Sequence, residues 1–258
     1  MKKLLVLSTV LALIVSSCSS DDNTKSADTA IFPKTITYTY PPETQKAIEI
    51  SAVKYDGNKI NSITALNKRT SYTYTGDLIT KLEIFERDTQ GQEIKIRDAS
   101  FAYEGKKLKT KIVKRINIDS PGLEYNEKTI YTHLSDELIN YITYSVNRNT
   151  NVETKTLEGS LIFENGNLVK YQANNASYVY EYDNKNNPLK NVLSLNLLLN
   201  EIRENGKNNV LKITSKPSPT SIPAIFKREY TYSDKDFPTK NTSYTNGDWI
   251  EFDIEYTY

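Results

Sequence analysis

Tyr72-Thr73-Tyr74-Thr75-Gly76-Asp77-Leu78-Ile79-Thr80-Lys81-Leu82 reads as two β-strands and the turn between them. Tyr72 and Tyr74 alternate with Thr, the period of a pleated strand with one face on a core. Tyr suits such half-buried surfaces. Gly76, beside Asp77, supplies the positive φ that a tight hairpin turn requires. Leu78, Ile79 and Leu82 then resume an apolar strand.

The same unit recurs along the chain. It appears around Asp56-Gly57-Asn58 in 53–60, around Gly105 in 101–108, around Asn165-Gly166 in 161–168, at Tyr178 to Asn184, at Tyr230 to Asp234, and in the closing Phe252 to Tyr258. His133 falls at the Tyr position of a degenerate copy. The spacing varies from about 19 to 50 residues, which is no solenoid period. Between turns the strands are long. In Lys109 to Ile118, Ile112, Ile116 and Ile118 share one face and Lys109, Lys111 and Arg115 the other. That contrast suits an antiparallel sheet with one solvated side, the isoleucines on the core. The expectation is a mostly β fold: one large antiparallel meander sheet, curled or barrel-like, forming a single domain over 35–258.

One segment departs from the pattern. Asn187-Pro188-Leu189 opens a stretch in which Leu189, Val192, Leu193, Leu195, Leu198, Leu199 and Ile202 are apolar. Asn187 has the chemistry of an N-cap and Pro188 that of a first helical residue. Asn205-Gly206 is a stop signal. The spacing predicts one embedded, well-buried α-helix; the alternative is two short buried strands. Residues 216–223, with three prolines, predict a loop or sheet edge.

The first residues carry an address. Lys2 and Lys3 precede an apolar run from Leu4 to Val15, then Ser16, Ser17 and Cys18. This is the plan of a secretory signal, and the run is too short for a transmembrane helix. Cys18 behind it reads as a lipidation site, with 1–17 the signal peptide and 18–34 a lipidated tether. Several palmitate-type acyl chains make a stable membrane anchor where one would be marginal. Ser19, Ser20, Asp21 and Asp22 resemble the acidic export signal of Bacteroidetes surface lipoproteins. The implied location is the outer membrane, lipid-anchored, facing the cell exterior.

Composition excludes several classes of chemistry. Loss of Lys2 and Lys3 takes the basic count from 33 to 31 against 32 acidic residues, leaving −1. Nucleic acid would call for a clustered basic excess. Cys18 is the only cysteine and His133 the only histidine, so neither a disulfide nor a His/Cys metal site is expected. No cofactor is implied, and no Gly-rich phosphate loop or nucleophile elbow is present. Asp234 with Asp236, and Asp248 with Glu251, are the carboxylate pairs a hydrolase would draw on. Trp249 with Tyr244, near Asn246-Gly247, are the candidate ligand-binding residues, a platform for sugar or peptide if exposed. The last strand places Phe252, Ile254, Tyr256 and Tyr258 on one face, as outer-membrane barrels do. Charged strand positions such as Glu83 and Arg87 oppose a lipid-facing wall, so a soluble barrel or curled sheet leads.

The signal, the acidic tether, the Tyr-x-Tyr hairpins and the Tyr180-Glu181-Tyr182-Asp183…Asn187-Pro188-Leu189 element together resemble a family of Bacteroidetes surface lipoproteins. Its domain of unknown function is described as porin-like in fold. The resemblance covers roughly residues 35–258 and brings no catalytic signature. A weaker likeness to tyrosine-aspartate repeat proteins lacks their Gly-Arg step and is explained by shared turn chemistry. The functional expectation is a non-enzymatic surface binding or accessory module, with glycan, peptide or envelope protein as partner. The alternatives are a structural envelope component and a carboxylate-based hydrolase.

Overall fold

A computed structural model describes residues 30–115, 126–201 and 206–258. Cys18, Ser19, Ser20, Asp21 and Asp22 lie outside the described residues, as do Ile116, Ile118 and Ile202. The strands are β1 (Thr35–Thr39), β2 (Glu49–Asp56), β3 (Lys59–Thr64), β4 (Lys68–Thr75), β5 (Leu78–Arg87) and β6 (Glu93–Glu104), then β7 (Lys107–Arg115), β8 (Asn126–His133), β9 (Leu138–Val146), β10 (Glu153–Glu164) and β11 (Asn167–Ala173). The last five are β12 (Ala176–Tyr182), β13 (Val210–Lys216), β14 (Ala224–Tyr232), β15 (Pro238–Tyr244) and β16 (Ile250–Thr257). Each pairs antiparallel with its sequence neighbours, and β1 pairs with β16, Tyr38 opposite Ile254. The expected meander is thus a closed sixteen-stranded barrel, which leaves no sheet edge exposed.

The repeated hairpins set one end of the barrel. At Asn165-Gly166 both turn residues have positive φ, 52° and 82°, matching the twist of the flanking strands. Between the aromatic of each unit and the residue before it, the ladder slips by one. Tyr55, Tyr74, Tyr103, Phe163, Tyr182 and Tyr232 oppose Ile60, Ile79, Leu108, Leu168, Val210 and Pro238, and the next residue of each second strand is extra. Such bulges bend a strand and raise its twist. The carbonyl beside each of several bulges accepts a hydrogen bond from the neighbouring unit. Tyr103 donates to Ile79 O at 2.8 Å, Tyr182 to Leu168 O at 2.7 Å, Tyr230 to Val210 O at 3.0 Å and Tyr258 to Pro238 O at 2.8 Å. His133 Nε2 sits 2.9 Å from Leu108 O, so it does fill the Tyr position of its unit.

The bulges also explain a reversal. Counting alternation from Leu108 puts Ile112 on the core. The extra residue Lys109 shifts the phase, so Leu108, Lys111 and Val113 face inward and Ile112 faces out. The expected solvent face of β7 is its core face, and Lys111 is buried.

Sixteen strands enclose more space than their own side chains fill, and the segment between β12 and β13 occupies part of it. Val192, Leu195, Leu198 and Leu199 are buried against Ile60, Ile79, Leu82, Phe101, Leu108, Tyr131 and Leu161. The segment is embedded as expected, but it is turns and a short 3-10 helix, Leu195–Leu198, rather than an α-helix. Ser194 and Leu199, at φ 58° and 54°, bound that helix and stop its continuation. The barrel wall supplies the bonds a helix would have made itself. Leu193 N donates to Asn58 O, Tyr74 OH to Leu193 O, Ser194 Oγ to Asp77 O and Asn191 Nδ2 to Ile31 O. Asn187 accepts from Leu189 N at 2.9 Å, closing a turn where a helix N-cap was expected. Glu201 of the same segment is paired with Arg97 and, at 3.0 Å, with Lys111 inside the barrel.

The outer wall is polar. Lys81, Glu83, Lys95 and Asp98 form a four-charge cluster with contacts of 2.8–3.4 Å. Lys212–Glu181, Lys128–Glu153 and Lys240–Asp253 are further outward pairs. Facing lipid near the midplane, each Lys would cost about 2–4 kcal/mol, so these outward charges suit water rather than hydrocarbon. The alternating residues of the last strand point the other way: Ile254 is buried in the interior and Tyr258 OH bonds Pro238 O.

Candidate binding cavity in the barrel interior

The plug fills the half of the barrel walled by β2 to β10. The half walled by β11 to β16 keeps a cavity of about 580 Å³, within the range of small-molecule sites. The difference is written in the inward residues. The packed half presents Ile79, Leu82, Phe101, Tyr131 and Leu161. The hollow half has Ser215 on β13 and Ser243 on β15 at inward positions, which leaves room that Leu or Tyr would occupy.

Two aromatic walls face the space. One belongs to a ladder of tyrosines running around the inner surface: Tyr131 to Tyr141 at 6.3 Å, Tyr141 to Tyr171 at 6.0 Å, and Tyr171 to Tyr178 at 5.5 Å between ring centroids. The ladder crosses β10 at Gly159, where an added Cβ would lie 1.8 Å from Gln172 O and 2.7 Å from Tyr141 OH. Only glycine lets Tyr141 reach Gln172 O, at 2.7 Å. The other wall is Phe226 on β14 and Phe252 on β16, the latter in contact with Tyr38 and Tyr40. Asn200 of the plug and Gly206 contribute to the lining, and Asn200 is tied to the ladder by Tyr131 OH at 3.3 Å.

Polar groups are spread over the lining. Arg228 reaches it from β14, Ser215 from β13, Ser243 from β15 and Glu251 from the start of β16. Ser243 Oγ donates to Glu251 Oε2 at 3.2 Å. Nearby, Tyr40 is held above the usual phenol range by burial and by the carboxylates of Glu49 and Glu251. On the packed side, burial raises Tyr131 to about 12, with Lys111 opposing it. Burial alone would lower Lys111, yet Tyr131 and Glu201 beside it hold it above its ordinary value.

The residues singled out from sequence are dispersed. Trp249, 76% exposed, sits on the loop between β15 and β16. Tyr244 follows the outward phase of β15 and donates to Glu229 at 3.0 Å. Neither lines the cavity. Asp236 pairs with Lys185 and Asp248 with Lys227 at the surface, and Glu251 alone of the four carboxylates reaches the lining. Among the described residues no cluster of three His, Cys, Asp or Glu is placed to hold a metal. Sequence reasoning missed Arg228, Ser215, Ser243 and Asn200. The signal that could have found them is small or polar residues at inward positions, readable only once the bulges fix the phase.

Among solved structures, the chain is similar to a porin-like protein from Bacteroides vulgatus ATCC 8482. The two are 14% identical, with a TM-score of 0.59 over 89% of this chain and 99% of that one. At this identity the likeness is one of fold. A porin-like protein from Bacteroides uniformis ATCC 8492 is 12% identical over 82% of this chain and 78% of that one, with a TM-score of 0.33. No family model matches the chain, and no curated protein does.

Proposed function

We propose that this chain is a lipid-anchored, non-enzymatic binding protein of the bacterial outer envelope, holding a small ligand inside its barrel. The observation that carries the reading is the asymmetric interior: a wall bearing outward ion pairs encloses one packed half and one aromatic-lined hollow half. A structural component has no use for such a space, since an unfilled interior forfeits packing. Among the described residues the lining contains one carboxylate, Glu251, whereas glycoside hydrolysis uses two across the scissile bond.

The strand order supports one orientation within this reading. The chain enters β1 at the turn end, where Lys34 N bonds Thr257 O and Tyr55 OH bonds Pro33 O. A lipid on Cys18 therefore tethers the turn end, and the opposite end, with Glu251 and the long loops, points away from the membrane. Asp21 and Asp22 next to the lipid direct the protein to the cell exterior in this reading.

Metabolic labelling with a palmitate analogue tests the anchor. Label should be lost in Cys18→Ser, and label retained there refutes lipidation at this residue. Asp21→Ala with Asp22→Ala should keep the label but reduce protease shaving of whole cells. Turnover of any substrate that disappears in Glu251→Gln or Glu49→Gln would refute the non-enzymatic reading.

A further inference from the structure

We propose that the interior cavity takes a neutral oligosaccharide of about two or three units, a ligand size that cavities of this class enclose. The proposal rests on the interior-site reading and names its ligand class. Its first support is the pair of ring walls. Tyr171 and Tyr178 on one side, and Phe226 and Phe252 on the other, line the space with aromatic rings, whose faces are the surfaces sugars stack on. Such faces carry partial negative charge and stack against the positively polarised C–H faces of sugar rings.

The second support is the placement of polar groups. A fatty acid or sterol-like ligand is apolar along its length and polar at one end. Its site needs a continuous apolar lining and one polar anchor, because polar groups buried against an apolar ligand lose hydrogen bonds to water. Here Asn200 lies on the plug, Ser215 and Ser243 on β13 and β15, and Arg228 and Glu251 on β14 and β16. Polar groups on four strands and the plug match a ligand with hydroxyls around its whole rim. The third support is charge. Among the described residues, Arg228 and Glu251 are the two ionic side chains of the lining, and they are of opposite sign. A carboxylate or phosphate ligand would call for a net positive site.

The test uses the full secreted chain carrying Cys18→Ser, so that no acyl chain competes for the cavity. Maltotriose, cellotriose and tri-N-acetylchitotriose are titrated by calorimetry and saturation-transfer NMR, with dodecanoate and anilinonaphthalene sulfonate as apolar probes. At least one trisaccharide should bind. Tyr178→Ala should weaken it about tenfold, the scale of one lost ring contact. Ser215→Trp, which fills the cavity, should abolish it, and Leu66→Ala on an exposed loop should leave it unchanged. Circular dichroism of each variant separates lost binding from lost folding. Binding of an apolar probe alone, blocked by Ser215→Trp, overturns the saccharide assignment and leaves the interior site standing. Binding lost in Trp249→Ala but indifferent to Ser215→Trp, or no binding by any probe, overturns both.

Discussion

Replacing Glu201 with Gln removes a buried anion that ties the plug to Arg97 and Lys111 of the barrel wall. Its side chain is 3% exposed, and its partners Lys111 and Arg97 are 11% and 19% exposed. At that burial, solvent screens the triad little. The substitution keeps shape and leaves two cations facing each other without compensation. Breaking a buried pair in this way costs about 3–5 kcal/mol. The lower end applies here because Arg97 keeps some contact with water. A loss of about 3 kcal/mol lowers the melting midpoint of a chain this size by roughly 6–12 °C. Thermal and urea melts at pH 7 read it directly. The triple variant Arg97→Met, Lys111→Met, Glu201→Leu should recover most of the loss, since apolar residues of similar volume commonly match a buried ion triad. A midpoint in Glu201→Gln equal to that of the parent would refute the placement of this triad in the interior.

Alkaline titration should unfold the barrel steeply. Burial raises Tyr55, Tyr72, Tyr103 and Tyr258 above the ordinary phenol value of 10.0. Below that value both folded and unfolded chains hold these protons; above it the unfolded chain releases them first, so stability falls as pH rises. Absorbance at 295 nm should show a delayed, cooperative tyrosine ionisation, and independent ionisation near pH 10 would count against the buried ring. Leu198→Asp should be severely destabilising in the same melts, because Leu198 is fully buried in the plug; an unchanged midpoint would place it in solvent. His133→Tyr should keep stability within about 1 kcal/mol, one hydrogen bond's worth, since Tyr103 and Tyr182 make the equivalent bond to a bulge carbonyl. A large loss would show that the unit needs histidine there.

The hairpins were legible because two local rules, alternation and turn chemistry, act within about ten residues. Tyr72 to Leu82 is enough to read them. Closure was only suggested, because the pairing of Tyr38 with Ile254 joins residues far apart in the chain. The face of β7 was misread for a physical reason: one extra residue, Lys109, inverts every side chain after it. The plug shows tertiary context overriding propensity. Its leucines spaced as a helix would have them, but Asn58, Tyr74 and Asp77 supply backbone partners and the barrel supplies an apolar surface on several sides. Trp249 is a conspicuous aromatic in the sequence, while the cavity is defined by residues as plain as Ser215 and Ser243. Their meaning lies in what they leave empty.

The central claim is a barrel that stands in water with its aromatic face inward. The most direct measurement is size-exclusion chromatography with light scattering of the Cys18→Ser chain in detergent-free buffer, followed by incubation with liposomes and flotation. A monodisperse, strand-rich protein that stays with the aqueous fraction is the predicted result. A protein that needs detergent to remain dispersed, or floats with the liposomes without its lipid, would contradict the account.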